Sequence, residues 1–196
     1  MKSAFKMLNL YVFLFAGLLS FTSCQNTMKK DESKDMAEDQ NKDKFDKNNE
    51  KNAQLMVDLV SNQYYEIHLA QYAQQKSTNS EIKSLATMMV DDHTAMLNQL
   101  KSLAAQKTIS IPNEDSTDVN NKTHDWNNDK PNDFNKAWTN EMIDNHKDAV
   151  NKMQGAIDDN DTDIDLKNIL TNGITKVRMH LDSLNVCHDK LDKMKS

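Results

Sequence analysis

Four polar residues interrupt four apolar helical stripes: Glu66, His93, His146 and His180. The first stripe reads Leu55, Leu59, Glu66, Leu69, Ala73, and the second Met89, His93, Leu97, Leu100. The third reads Met142, His146, Val150, Met153, Ile157, and the fourth Gly173, Val177, His180, Leu184, Cys187, Leu191. Each has the spacing of one buried helix face. If the four helices share one core, three imidazoles and one carboxylate meet in a single layer. That donor set suits Zn²⁺ or Cu²⁺. Asp92 and Asp144 stand close by in sequence, as candidates to orient the ligands from behind. Met89, Met96 and Met142 lie one helical turn from a histidine, and their soft thioethers would suit Cu(I). The alternative is a purely structural layer. Neutral histidines are tolerated in a core when their ring nitrogens are partnered, Glu66 can pair with one of them, and Tyr64 or Tyr65 could complete the network. In that case methionine at helical spacing is core filler. The residues leave both readings open, and no cofactor is certain.

His68 lies two residues from Glu66 and must point elsewhere; His188 falls near the exposed end of the last helix. No Gly-rich phosphate loop, Cys-x-x-Cys or nucleophile elbow is present. The Asp-rich turn at 158–163 lacks the twelve-residue calcium-loop pattern. No residue set names a reaction, and no catalytic residue is assigned.

The elements that must position the layer are helices. Gly and Pro number only 3 and 2, and no period-2 strand pattern stands out, so the fold class is all-α. One helix is predicted over about 51–76. Thr78-Asn79-Ser80-Glu81 has a capping-box pattern and opens a second, to about 107. Asn132 or Asp133 can cap a third, ending near 158, and the fourth fills most of the remainder. Short connections make the first and second helices, and the third and fourth, antiparallel hairpins. The 108–131 connection is different. A helix of this length spans roughly 40 Å, and the connection can extend to roughly 80 Å. It can therefore cross the whole bundle and set the third helix parallel to the second, with Trp126 and His124 as its candidate anchors. The expected domain is 51–194, a ferritin-like four-helix bundle with one long crossover.

Residues 1–23 read as an export signal: Lys2 and Lys6, an apolar run from Leu8 to Leu19, then Phe21-Thr22-Ser23 before Cys24. The small residues ahead of a cysteine resemble a bacterial lipobox, making Cys24 the expected lipidation site. Gln25 after it leans toward the outer membrane, as a lipoprotein facing the periplasm or the cell surface. Residues 24–50, nearly all Lys, Asp, Glu, Asn, Gln or Ser, read as the lipidated cysteine and a disordered tether. The full chain carries a net charge of −6. Removing Lys2 and Lys6 with the signal lowers it to −8, which argues against nucleic-acid binding. The membrane partner is then reached through lipid, and protein partners are not indicated. Cys187, on an apolar face, reads as a small buried hydrophobe.

Several segments resemble one family. Glu66-Ile-His-Leu-Ala-Gln, Met89-Val-Asp-Asp-His-Thr, Leu103-Ala-Ala-Gln-Lys running to Ile111-Pro112, Met142-Ile-Asp-Asn-His146 and His180-Leu181 are similar to an uncharacterised bacterial family of exported, ferritin-like proteins labelled as outer membrane proteins. The resemblance covers about 53–193. It implies a ferritin-like bundle and an envelope location, with Glu66, His93, His146 and His180 at recurring polar positions, and it implies no established activity. Thr175 stands where a proline is common. Di-metal ferritin-like sites also need Glu-x-x-His pairs, and here Val90 and Val177 occupy the carboxylate positions. That argues against an oxygen-activating di-iron centre. Two expectations of function remain: a structural, interaction or stress-related module of non-catalytic character, or a metal-binding envelope protein.

Overall fold

The computed structural model describes residues 32–194. The expected signal segment, Cys24 and residues 25–31 lie outside the described residues. The described residues are all-helical, in the order α1 (Glu32–Lys44), α2 (Lys47–Lys76), α3 (Ser80–Gln106), α4 (Thr117–Trp126), α5 (Pro131–Asp158) and α6 (Ile164–Lys193). Among the described residues no helix is long and apolar enough to cross a membrane.

Side-chain caps fix several of the starts. Asp46 accepts from the Asn49 amide ahead of α2, Asn79 from Glu81 and Ile82 ahead of α3, and Asp163 from Asp165 and Leu166 ahead of α6. The third long helix begins differently from expectation. Neither Asn132 nor Asp133 caps it; Pro131 takes the first turn, where its missing N–H costs nothing.

Contacts between helices give their directions. Lys51 pairs with Asp159 at 2.6 Å, Lys152 with Asp58 at 3.1 Å, and the Trp138 indole donates to the Leu69 carbonyl at 3.0 Å. The residue numbers fall along α5 as they rise along α2, so these two are antiparallel. Lys107–Asp163 at 2.6 Å and Lys190–Glu81 at 2.7 Å make α3 and α6 antiparallel in the same way. With the α2/α3 and α5/α6 hairpins, α3 and α5 run in the same direction. The end of α3 lies beside the start of α6, and the 107–130 segment travels the length of the molecule.

That segment is not a plain loop. It contains α4, whose Val119, Thr123 and Trp126 form one buried face at i, i+4, i+7. Trp126 packs against Phe134 and Tyr72, with ring centroids 5.9 and 6.4 Å away. It anchors the crossing, whereas His124 is exposed and lies beside Asp125. At the other end, Thr108 takes a left-handed backbone (φ 56°), which lets the Ile109 amide return to the Ala104 carbonyl at 2.9 Å.

The expected disordered stretch to residue 50 is a second correction. Residues 32–44 form α1, and α2 starts at 47 rather than 51. Composition alone cannot order this stretch; tertiary contact does. Ala37 and Asn41 are buried, Lys34 pairs with Asp58 at 2.7 Å, and the Gln54 amide donates to Glu38 at 2.8 Å. Asn41 accepts from the Ser110 amide and donates to the Ser110 carbonyl, both at 2.8 Å. Glu32 and Asp35 in the first turn, with Lys42 and Lys44 in the last, complement the helix dipole.

The apolar core has two halves. One gathers Met56, Val60, Leu100, Met153, Leu170 and neighbours. The other gathers Leu69, Ile82, Met89, Phe134, Trp138 and Leu184 among others. His93, His146 and His180 fall between these sets along their helices, and Glu66 lies close to the same boundary, just before Ile67.

Candidate metal centre

Each of the four long helices delivers one polar side chain to this dividing layer. Glu66, His146 and His180 have no solvent exposure, and His93 has 3%. The three imidazole centroids form a near-equilateral triangle, 5.4 Å for His93–His146, 5.3 Å for His93–His180 and 5.5 Å for His146–His180. One nitrogen from each ring lies within 4.8 Å of the others. The Glu66 carboxylate lies against the group, with Oε2 3.0 Å from His93 Nε2 and 3.3 Å from His146 Nδ1. All four residues singled out in the sequence therefore converge.

Hydrogen bonds on the outer side of the rings fix which nitrogens face inward. His146 Nδ1 donates to the Met142 carbonyl of the preceding turn at 2.9 Å, so its Nε2 carries the lone pair. His180 Nε2 donates to Asp92 Oδ2 at 3.0 Å, leaving the lone pair on Nδ1. His93 Nδ1 donates to Gln63 Oε1 at 2.9 Å, leaving it on Nε2. His146 Nε2 and His180 Nδ1 thus present two acceptors to each other at 3.4 Å. His93 Nε2 and Glu66 Oε2 are buried and have no aligned hydrogen-bond partner. Three ring lone pairs converge with no hydrogen-bond donor among them, and the Glu66 carboxylate borders this group, against His93 Nε2 and the outer nitrogen of His146. Such a deficit is costly in a core. A cation among them removes it, and the engaged outer nitrogens are the usual support of a metal-bound histidine.

Electrostatics agree with this donor state. Burial pushes the His146 imidazole down to about 4, which keeps it neutral and able to ligate. Burial also lowers His180, against the opposing pull of Asp92. Burial raises the Glu66 carboxyl, but the attraction of the surrounding imidazoles in their protonated form, His146 first and then His93, outweighs it and holds the group below its usual range. The carboxylate is the form that can ligate. Asp92 is likewise held low: burial raises it, and the hydrogen bonds from Lys176 and His180 more than compensate.

The supporting residues differ in part from expectation. Asp92 does hold one of the layer histidines, His180 on α6, and is itself held by Lys176. Asp144 does not. It is exposed and pairs with Lys147 at 3.5 Å, because two residues along a helix is about 200° of rotation, away from the face of His146. Gln63 and the Met142 carbonyl were not legible as supports. Gln63 stands three residues before Glu66, and that same-face spacing was the available signal. Neither tyrosine completes the layer: the Tyr64 hydroxyl accepts from Lys101 and Tyr65 donates to Glu141. The Met96 thioether packs away from the layer. Met96 Sδ and Met153 Cε lie 3.1 and 3.3 Å from where a Gly173 Cβ would be, two turns along α6 from His180, roughly 10 Å away. His68 turns out to Glu114 at 2.8 Å and His188 toward Asp192 at 3.6 Å, both outside the layer. Cys187 is a free buried thiol, pushed up to about 11 by burial.

These features define an all-helical protein with a buried layer of three histidines and one glutamate at its centre. The chain belongs to the family described as Domain of unknown function (DUF4142), whose model matches residues 35–185. The match begins inside α1 and includes Glu66, Asp92, His93, His146 and His180. No curated protein and no solved structure matches the chain.

Proposed function

We propose that this protein is a lipid-anchored envelope protein whose ferritin-like four-helix domain holds one divalent transition-metal ion. The ligands are His93 Nε2, His146 Nε2 and His180 Nδ1, with the neighbouring Glu66 carboxylate as the fourth donor. The observation that carries this reading is the inward convergence of three imidazole lone pairs whose opposite nitrogens are all engaged. The shared direction of α3 and α5, joined by a long crossing segment, supports the ferritin-like assignment. Val90 and Val177 in place of the carboxylates of a di-metal site favour a single ion. Zn²⁺ and Cu²⁺ suit the nitrogen-rich set, and the thioethers packed at Gly173 offer nothing to Cu(I).

The role is holding rather than turnover. Glu66, against His93 Nε2, stands beside the three histidines as the fourth donor, and a set closed by protein donors leaves no open position for substrate. The signal-like segment and Cys24 support the anchor. Replacing Cys24 with Ser abolishes incorporation of a clickable fatty acid if the anchor is there, and label that persists in Cys24→Ser contradicts it.

Equilibrium dialysis of the untagged, chelator-treated chain against Zn²⁺ tests the metal reading. One ion per chain, lost in His146→Ala and retained in His188→Ala, is the expected result. No stoichiometric ion in the wild type leaves the layer a structural one that fixes helix register, with the domain an interaction module.

A further inference from the structure

The four long helices do not meet equally. Helices α2 and α3, α5 and α6, and α3 and α6 pack closely along their lengths, while α2 and α5 approach at few points. Long polar side chains bridge that seam instead: Lys51 to Asp159, Lys152 to Asp58, and Tyr65 to Glu141 at 2.9 Å. The seam opens into a cleft of about 880 Å³, bordered at its margins by α4 and by Lys34 of α1. Its wall carries five carboxylates against three lysines. All three lysines are paired, Lys34 and Lys152 with Asp58 and Lys122 with Glu141. The mouth is therefore electronegative, with Asp118 exposed on α4.

The cleft floor reaches the buried layer. Asn62 lines the cleft, and its Nδ2 donates to Glu66 Oε1 at 3.4 Å, a long bond on a partly buried side chain. Behind it, Glu66 is fully buried and its Oε2 has no hydrogen-bond partner. The Ser61 hydroxyl, also in the cleft wall, is buried and unpartnered. The opposite approach, across α3 and α6, is blocked by the His180–Asp92–Lys176 chain of hydrogen bonds.

We infer that the α2/α5 cleft is the port by which a divalent cation reaches the histidine layer, with the Asn62 side chain the last group it passes before Glu66. This rests on the metal reading above. Carboxylates at the mouth concentrate cations locally. Asn62 acts as a gate: its weak bond to Glu66 opens by rotation of one side chain, without separating helices. Glu66 is then both a ligand and the first donor the ion meets.

Stopped-flow binding of Co²⁺ to the full chain in detergent, followed by its visible absorption, tests the port. Asn62→Ala speeds association and dissociation together, by on the order of tenfold, and leaves their ratio nearly unchanged. Asn62→Leu, which fills the floor with apolar atoms, slows both. Association in the wild type also falls as ionic strength rises. Rates unchanged in both variants overturn the port and leave the metal site standing. A change in dissociation alone makes Asn62 a support for Glu66 and also overturns the gate. Absence of Co²⁺ binding in the wild type, with Zn²⁺ dialysis also negative, overturns the metal reading itself.

Discussion

Asp92 adjoins His93 on α3, yet its carboxylate holds His180 of α6, 3.0 Å from Nε2. One residue step on a helix is about 100° of rotation. That carries Asp92 off the face of His93 and toward the antiparallel neighbour. The same contact fixes the imidazole tautomer and ties α3 to α6 at the level of the layer. In Asp92→Ala the His180 ring loses the acceptor that aims its Nδ1 inward, and Zn²⁺ affinity drops by about 10–100-fold, the usual cost of removing such a support. Titration against a competing chelator measures it. An unchanged affinity shows that His180 is aimed by packing alone.

Acid should destabilise the fold earlier than exposed carboxylates would. His146 titrates near 6.5 when unfolded and is pushed down to about 4 in the fold. Between those values the unfolded chain binds a proton that the folded chain refuses. Stability therefore falls as pH drops from about 6.5 to about 4, by up to roughly 3 kcal/mol from this group. His180 is also lowered and acts in the same direction. Glu66, held below its usual range, loses its stabilising contribution as pH falls through its folded value. Urea melts of the metal-free protein across pH 7 to 4.5 follow the loss. A flat midpoint between pH 6.5 and 5 contradicts the neutral, buried assignment of His146.

Among the contacts that order α1, Asn41 is the buried polar one. Asn41 is 1% exposed and satisfies both the amide and the carbonyl of Ser110. Asn41→Ala leaves those two backbone groups without their partner and costs about 1–3 kcal/mol. The loss is local, so limited proteolysis near Phe45 should accelerate more than global unfolding does. Equal protection of mutant and wild type means α1 is held mainly by its ion pairs.

Thr108 is a strained residue at a helix end. A β-branched side chain at φ 56° is disfavoured, and the position is one that glycine commonly fills. Thr108→Gly should raise stability by roughly 0.5–1 kcal/mol, provided the loss of strain exceeds the added chain entropy. Differential scanning calorimetry reads this as a higher Tm; a lower one assigns Thr108 a packing role larger than its strain.

The layer was legible because each of its members interrupts a stripe of apolar residues at helical spacing, and because short hairpin connections bring helix midpoints together. Aim was harder to read. Asp92 and Asp144 look alike as acids near a histidine, but one and two residue steps differ by about 100° of rotation, and only the position of α6 decides that Asp92 has a ligand to hold. Composition hid α1 and α4. Both are highly polar, and each is ordered by a few contacts from distant parts of the chain: Asn41 with Ser110, Trp126 with Tyr72 and Phe134. Such contacts override local propensity and leave no periodic trace beyond Val119, Thr123 and Trp126.

Thermal stability with and without Zn²⁺ tests the central claim most directly. An ion held by the folded layer and absent from the unfolded chain adds RT ln(1 + [L]/Kd), about 2.7 kcal/mol at a hundredfold excess over Kd. The account predicts that gain in the wild type and in His68→Ala and His188→Ala, and its loss in His93→Ala and His180→Ala. A wild type that melts at the same temperature with and without Zn²⁺, or layer variants that gain as much as it does, would contradict it.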